Sequence, residues 1–374
     1  MKNLIITIIY AFLCFQINCC CIGSRAVDSN FGLNHERISD VQAFEQAVRN
    51  HDFYNICLHR SKSSGNPFCQ LDRPLIDEIF NDIHAEIFNQ RSENPDQYIF
   101  VLFSECFFGE NEPMNNDDVS YIIEKCRFLS QKKRVMLQVS MLHKFNINDS
   151  PYWLEGKYKP VKSRKEIAGR IINTVQNTET SGNTCHMTQK EHAKYFLVAD
   201  KNHSERVASY TLTIIDGKIV AIYRKSTYYR EADKYIHTTY NTAKYAFEFG
   251  DFYAHMVEDS SFAKFFVGKN PLVATRMCSD MNAKYLKYNY PAGIVLVHAN
   301  DRPSIDGEKF HNFIFCVDDT KDLALIFPDN RPSGISGEDI KKTDGCVRCG
   351  FDFSILMNSP DEIIPLEHIQ YEIN

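Results

Sequence analysis

Three reactive side chains, a carboxylate, an amine and a thiol, each follow an apolar run of strand length. The run Tyr98–Glu105 ends on a carboxylate, and the run Lys218–Lys225 ends on an amine. Cys278 follows a third run, Leu272–Ala274. In α/β sheets the edge where strands give way to loops displays reactive side chains, because the strand beneath is rigid and the loop above is free to vary. A thiol, a carboxylate and an ammonium at such an edge favour nucleophilic catalysis by Cys278.

Each of these residues also has a purely structural interpretation. A single cysteine is typical of a small buried core residue. Glu105 is then a strand-end acid paired with a neighbouring Lys or Arg, and Lys225 is one of the surface cations in Tyr223-Arg224-Lys225. We favour the catalytic interpretation because it explains all three positions at once, whereas the structural one needs three separate coincidences.

The three motifs together resemble those of the nitrilase superfamily, the carbon-nitrogen hydrolases, whose mark is a Glu-Lys-Cys triad. Glu105 lies in the segment F-V-L-F-S-E-C-F-F-G, and Asp216–Lys225 reads D-G-K-I-V-A-I-Y-R-K, as before the lysine of that family. Cys278-Ser279-Asp280 matches a cysteine followed by one residue and an aspartate. The resemblance covers Tyr54–Phe327 and implies an α/β fold, a four-layer αββα sandwich, often paired into a homodimer. It also implies cleavage of a non-peptide C–N bond in a small-molecule amide, nitrile or carbamoyl compound, with no cofactor and no metal.

The resemblance assigns a role to each residue of the triad. A thiol attacks only as thiolate, so Cys278 needs a partner, and Glu105 is expected to take its proton and later return one to the leaving amine. Lys225 and the backbone N–H of Ser279 are expected to stabilise the oxyanion of the tetrahedral intermediate. A thioester on Cys278 follows, which water then hydrolyses.

Three further positions are predicted to orient the substrate. In the family a second carboxylate follows the lysine by a few residues, and Glu231 and Asp233 both fall in that window. Glu231 is favoured for its longer side chain, and the structural alternative is a solvated loop acid. Arg276 either meets an acidic substrate or faces away on the opposite side of its strand. Thr275, Arg276 and Met277 replace the glycine and small aliphatic residues that usually precede the family's cysteine, which leaves the substrate class open.

Two other functions remain open from the sequence. One is a peptidase that combines Cys278 with His298 and with Asp301 or Asn300, although a histidine that ends an apolar strand is more often a core residue. The other is an exported binding protein that keeps the fold without catalysis. Retention of all three triad residue types argues against the second.

Composition limits the partners. The 374 residues are 44% hydrophobic and 24% charged, so a sizeable core is available. The formal net charge is −6, and no basic block carries interleaved aromatic residues. Nucleic acid is therefore not expected as a partner.

The N-terminus has the pattern of a secretory signal. Lys2 precedes an apolar run, Leu4–Phe15, that matches a signal-peptide core and is too short to span a bilayer comfortably. We expect a secreted or periplasmic protein, with a lipid-modified cysteine among Cys19–Cys21 as the alternative. The predicted divisions are a signal peptide at 1–23, a polar segment and helix at 24–52, the hydrolase domain at 53–330 with an irregular insertion near 146–189, and a C-terminal extension at 331–374.

The cysteines are compatible with disulfides. Of 13 cysteines, four lie in the predicted leader and one is the predicted nucleophile, which leaves an even number. The sequence does not choose among their pairings. Cys346 and Cys349 form a C-V-R-C motif, which is a tight disulfide turn, two free thiols or half of a zinc site.

The elements that position the triad follow from periodicity. The segment Ser24–Asn34 is polar and expected to be loose, and a capping box at Ser39–Gln42 predicts the start of a helix with Val41, Phe44 and Val48 on one face. Phe53–Leu58 reads as the first core strand, and a helix is expected to start at Pro74. The strand that ends at Glu105 follows.

The elements that follow Glu105 are predicted in the same way. Asp117 or Asp118 is expected to cap a helix, and Val135–Leu142 to form the next strand. Val207–Ile215 and Lys218–Tyr223 read as a hairpin, and the Asp216-Gly217 between them suits a type I′ turn. Later strands are expected at Ala292–His298, Phe313–Val317 and Leu323–Phe327.

Overall fold

The computed structural model describes fourteen stretches of the chain, and every structural statement below concerns them: residues 29–61, 71–105, 107–109, 113–155, 204–226, 246–250, 253–277, 280, 293–299, 313–318, 322–326, 332–336, 345–354 and 368–372. The chain divides into two compact units, Met1–Ala43 and Phe44–Asn374. The predicted signal peptide and most of the predicted insertion lie outside the described residues.

Helix α1 spans Ser29–Asn50. It therefore starts ten residues before the predicted capping box, and the expectation of a loose segment reaching Asn34 is wrong. Extending a helix that has already nucleated adds one hydrogen bond per residue, so a polar stretch without proline joins it readily. Among the described residues no helix combines the length and the apolar character needed to cross a bilayer.

The second unit contains two sheets. The larger sheet has nine strands, in chain order β1 (Phe53–Ser61), β2 (Tyr98–Phe103), β3 (Val135–Asn146), β4 (Glu205–Ile215), β5 (Lys218–Arg224), β6 (Ala246–Glu248), β7 (His255–Met256), β13 (Gly345–Asp352) and β14 (His368–Glu372). Their spatial order is β14-β13-β1-β2-β3-β4-β5-β7, with β6 paired to β4. The pairs β1–β2 and β2–β3 are parallel, whereas β3–β4, β4–β5 and β1–β13 are antiparallel, so the sheet is mixed.

The smaller sheet has five strands: β8 (Val273–Met277), β9 (Ile294–Ala299), β10 (Phe313–Asp318), β11 (Asp322–Ile326) and β12 (Pro332–Ser336). Their order is β12-β11-β10-β9-β8. Strands β8, β9 and β10 run parallel to one another. The later strands predicted from the sequence are thus confirmed to within two residues at each end. The segment predicted as a C-terminal extension supplies β12, β13 and β14, and is therefore part of both sheets.

Two helices pack on the larger sheet. Helix α2 (Arg73–Glu93) begins after Asp72, whose carboxylate accepts a hydrogen bond from the Leu75 N–H at 2.9 Å. Helix α3 is Asn116–Ser130. Their apolar faces join the inner residues of strands β1 to β5 in one hydrophobic cluster, as expected for helices that cover one face of a sheet.

The cap of helix α3 differs from the prediction. Asn115 is the N-cap: its backbone is extended, and its side chain accepts a hydrogen bond from the Asp118 N–H at 2.9 Å. The expectation that Asp117 or Asp118 caps the helix is wrong by two or three positions. Both carboxylates lie instead in the first turn, where their charge favours the helix dipole.

The β4–β5 hairpin confirms the predicted turn. Asp216 and Gly217 have φ values of 52° and 70°, and a type I′ turn requires positive φ at both central positions. The tight turn fixes the register of the two strands, with Ile215 opposite Lys218. Strand β5 therefore ends at a defined position, Arg224, and Lys225 follows it directly.

The C-V-R-C motif lies inside strand β13. A strand rises about 3.3 Å per residue, which places the Cα atoms of Cys346 and Cys349 roughly 10 Å apart. A disulfide needs a Cα separation below about 7 Å. The interpretation of this motif as a tight disulfide turn is therefore wrong, and the Cys349 side chain is a buried free thiol.

Candidate active site

Glu105 is held where strand β2 leaves the sheet. The Ser104 N–H donates to the carbonyl of Leu58 at 2.9 Å, and the Glu105 N–H donates to the carbonyl of Ala299 at 3.3 Å. The first bond continues the pairing with β1, and the second reaches the end of β9 in the smaller sheet. Glu105 thus lies where the two sheets meet, and its side chain is fully buried.

Lys225 follows strand β5 directly and is fixed through its backbone. Its N–H donates to the carbonyl of Ser209 at 2.8 Å, and its carbonyl accepts from the Gly250 N–H at 2.9 Å. A Cβ atom on Gly250 would stand 2.3 Å from the carbonyl oxygen of Arg224, so only glycine allows this approach. The backbone of Lys225 is therefore held from both sides.

The side chains of Glu105 and Lys225 form a buried ion pair. The Lys225 Nζ donates to the Glu105 Oε1 at 2.5 Å, and both side chains have 0% exposure. Removing two charges from water costs several kcal/mol each, and a close, hydrogen-bonded contact is needed to offset that cost. The structure therefore brings together two of the three predicted catalytic residues, 120 positions apart in the sequence.

Asp280 joins the same cluster from the segment that follows strand β8. Its Oδ2 accepts from the Tyr223 hydroxyl at 2.6 Å and from the Ser226 N–H at 3.1 Å, and its Oδ1 accepts from the Ser226 hydroxyl at 2.8 Å. All three donors belong to residues that flank Lys225, and Asp280 is fully buried. Asp280, two positions after Cys278, is thus bound to residues on both sides of Lys225.

Arg276 packs against this cluster. It is 2% exposed, its guanidinium stands 5.2 Å from the centre of the Tyr223 ring, and its Nη1 donates to the carbonyl of Thr275 at 2.6 Å. Its cation therefore lies over the ring whose hydroxyl binds Asp280. Whether it orients substrate, as the sequence predicts, stays a prediction.

The remaining predicted site residues lie outside the described residues: Cys278, Ser279, Glu231, Asp233, and the Asn300 and Asp301 of the peptidase alternative. Both neighbours of the Cys278-Ser279 pair are described. Met277 ends strand β8 opposite His298 on β9, and Asp280 is bound as above.

His298 uses both ring nitrogens to join the two sheets. Nδ1 lies 2.5 Å from the carbonyl oxygen of Phe103, and Nε2 lies 2.8 Å from the amide group of Gln138. Burial lowers the pKa of His298 to about 4, partly opposed by its hydrogen bond to Phe103. Both ring nitrogens therefore face oxygen atoms of the fold.

The Gln138 side chain connects His298 to two threonine hydroxyls. Its Oε1 faces Nε2 of His298, and its NH2 group donates to the hydroxyls of Thr213 and Thr275. Those two hydroxyls lie 3.1 and 2.9 Å from the Gln138 amide. The peptidase alternative needs an imidazole nitrogen directed at a thiol, whereas here each nitrogen of His298 has a partner in the fold.

A second buried hydrogen-bond network connects strand β3, which carries His143, to strand β4, which carries Tyr210. The Trp153 indole N–H donates to the Tyr210 hydroxyl at 3.2 Å, which lies 2.9 Å from Nδ1 of His143. Nε2 of His143 lies 2.8 Å from the Asn116 Oδ1, whose NH2 group donates to Asp149. Burial lowers the pKa of His143 to about 3, so the ring is neutral, donates from Nε2 and accepts at Nδ1.

Asp280 was expected only as part of the motif that contains Cys278, and no role at the site was predicted for Tyr223, Ser226 or Gly250. The signal for Asp280 and Ser226 was available, since both stand one or two positions from a predicted catalytic residue. Gly250 carried no such signal, because its role depends on a contact with a strand formed 25 residues earlier. Within the described ranges, no three His, Cys, Asp or Glu side chains are grouped so that they could hold a metal ion.

Comparison with known proteins adds no family to this geometry. A scan against models of protein families matches none of them, and a search of curated proteins also finds no match.

Proposed function

We propose that this protein is a hydrolase that cleaves a non-peptide C–N bond through a thioester on Cys278, with Glu105 and Lys225 completing the triad. The observation that carries the proposal is the buried contact between Glu105 and Lys225 at the ends of two strands. A buried ion pair is expensive unless its geometry is good, and such pairs concentrate at functional sites. Substrate is an amide, a nitrile or a carbamoyl compound.

The placement of Asp280 supports Cys278 as the third member. The carboxylate of Asp280 accepts hydrogen bonds from Tyr223 and Ser226, the residues on either side of the Arg224-Lys225 pair. Cys278 precedes Asp280 by two positions and follows Met277, the last residue of strand β8. Strand β8, which Met277 ends, also carries Arg276 over the Tyr223 ring, so the segments on both sides of the Cys278-Ser279 pair contact residues next to Lys225.

The proposed reaction has two steps, formation of a thioester on Cys278 and its hydrolysis by water. Glu105 takes the thiol proton as Cys278 attacks the carbonyl or nitrile carbon. The ammonium of Lys225 and the backbone N–H of Ser279 stabilise the resulting anion. For an amide, the C–N bond breaks as Glu105 returns the proton to the leaving amine, and the thioester remains. Water then gives its proton to Glu105, attacks the thioester and releases the acid and the thiol.

The proposal includes the four-layer αββα sandwich. Helices α2 and α3 cover one face of the larger sheet, and hydrogen bonds from Gln138 to Thr275 and from His298 to Phe103 connect that sheet to the smaller one. We expect a fourth layer to cover the other face of the smaller sheet, as the resemblance implies.

The test is a covalent adduct on Cys278. The purified protein is incubated with a panel of amides, nitriles and carbamoyl compounds, and intact and peptide masses are recorded. We expect an acyl adduct on the peptide that contains Cys278, and no adduct or turnover in Cys278→Ala. Cys126→Ala is the matched control, because it removes a thiol from the hydrophobic core around helix α3.

A Glu105→Gln variant separates binding from chemistry. It keeps the shape of the side chain and removes the base, so we expect both thioester formation and its hydrolysis to slow by at least about 100-fold. Circular dichroism and thermal unfolding check that each variant is folded. Full turnover by a folded Cys278→Ala protein would refute the mechanism.

A further inference from the structure

Two cysteines face each other across the first core strand and the penultimate strand. Strands β1 and β13 are antiparallel, and Cys57 lies directly opposite Cys349 in their register. Directly opposite residues of an antiparallel pair have Cα atoms about 4.5 to 5.5 Å apart. A disulfide spans a Cα separation of about 4.4 to 6.8 Å, so the backbone geometry of this pair is suitable for one.

The side chains are in contact as well. Both are fully buried, and the Cys349 thiol donates to the carbonyl of Cys57 at 3.8 Å. Burial and a hydrogen bond with the Cys349 thiol raise the pKa of Cys57. Cys126 is also buried, but burial alone raises the pKa of its thiol. Among the described free thiols, Cys57 and Cys349 therefore interact with each other, whereas Cys126 is not part of this pair.

We propose that Cys57 and Cys349 form a disulfide when the chain folds in the presence of a small-molecule or protein disulfide. One thiolate attacks the oxidant's disulfide and displaces one of its sulfurs as thiolate. The second thiolate then attacks the mixed disulfide, which forms the Cys57–Cys349 bond and releases the other oxidant sulfur. The two cysteines lose two electrons and two protons, and the oxidant is reduced to two thiols.

The fold sets the order of these events. Both sulfur atoms are buried once β13 pairs with β1, so an external disulfide has to react before the C-terminal strands dock. The bond then attaches β13, and β14 paired beside it, to β1, the third strand along the larger sheet. Because it closes a loop of almost the whole unit, it reduces the entropy of the unfolded chain more than a short loop does. This inference does not depend on the proposed hydrolase activity.

The experiment refolds the full chain in oxidised and reduced glutathione and, separately, in reductant alone. Free thiols are alkylated under denaturing conditions, and a non-reducing digest is mapped by mass spectrometry. We expect a linked peptide pair containing Cys57 and Cys349, lighter than the sum of its parts by two hydrogen atoms. We also expect unfolding about 5 °C higher than in the reduced protein.

Two variants make the outcome specific. Cys349→Ala should lose both the linked peptide and the redox-dependent shift in unfolding temperature. Cys126→Ala should keep both, although it also lacks a buried thiol. Alkylation of Cys57 and Cys349 in the glutathione-folded wild type, or a link from either one to another cysteine, would overturn the proposal. Mapping the wild type decides this even if a variant fails to fold.

Discussion

Replacing Asp280 by asparagine tests whether the segment after strand β8 positions the nucleophile. The substitution keeps the size of the side chain and changes one oxygen to an NH2 group. Oδ2 accepts two hydrogen bonds and Oδ1 accepts one, so the asparagine oxygen is best placed at the Oδ2 position. Its NH2 group then meets the Ser226 hydroxyl, which can rotate to accept.

The expected loss of stability follows from these contacts. A hydrogen bond to a charged group contributes roughly 1.5 to 3 kcal/mol and a neutral one roughly 0.5 to 1.5 kcal/mol. Three bonds that lose their charge therefore cost about 3 kcal/mol in Asp280→Asn. Asp280→Ala removes the acceptors altogether and leaves Tyr223 and Ser226 with buried donors, for which we expect about 5 kcal/mol. Urea unfolding at constant pH measures both values.

The effect on activity separates positioning from stability. A displacement of about 1 Å at a reacting group costs roughly 100-fold in rate, so we expect kcat of Asp280→Asn to fall by about that factor with a small change in KM. Asp216→Asn is the matched control, because it makes the same change at the exposed turn of the β4–β5 hairpin. Tyr223→Phe should lower kcat in the same direction, and its effect should not add to that of Asp280→Asn because the two share a hydrogen bond. If Asp280→Asn loses stability as calculated but keeps kcat within twofold, Asp280 does not position Cys278.

Two further predictions concern the histidines and Gly250. Burial lowers the pKa of His298 to about 4 and that of His143 to about 3, below the unfolded value of 6.5. Their contribution to stability is therefore complete above pH 6.5 and falls as the pH drops towards those values, by about 2.5 kcal/mol for His298 alone at pH 4.5. Urea midpoints between pH 7.5 and 4.5 measure this, and a His298→Gln variant should have a shallower slope. Gly250→Ala places a Cβ atom 2.3 Å from the carbonyl oxygen of Arg224. The Lys225 backbone should then shift, and kcat should fall. A kcat equal to that of the wild type would show that the end of strand β5 tolerates this movement.

The strands and the hairpin could be predicted because their signals are local. Asp216-Gly217 fixes a turn through its own φ values, and the apolar run before Glu105 has strand length and an abrupt end. Apart from the hairpin, the parallel and antiparallel order of the strands was not predicted, since periodicity does not state which strand pairs with which. The Glu105–Lys225 contact could be expected because both residues follow strands that end at the same edge.

The contacts that could not be predicted are those between distant segments. Cys349 lies opposite Cys57 because β13, late in the chain, returns to pair with β1, and the spacing within C-V-R-C suggested a local turn instead. The N-cap of helix α3 was misplaced for a related reason: Asn115, Asp117 and Asp118 are all good caps, and the extended backbone at Asn115 decides among them. In both cases several residues had equal local propensity, and the tertiary structure selected one.

The polar groups between the two sheets explain how residues so far apart in the sequence meet reproducibly. Gln138 and Thr213 belong to the larger sheet, and Thr275 and His298 belong to the smaller one. An apolar interface of the same shape would tolerate a slide of one sheet over the other, because apolar contacts are not directional. A slide here would leave buried hydrogen-bonding groups without partners, at roughly 1 to 3 kcal/mol for each one. Since Glu105 is also bonded to Ala299 at the end of β9, the register that satisfies this polar layer also fixes the position of Glu105 relative to the smaller sheet.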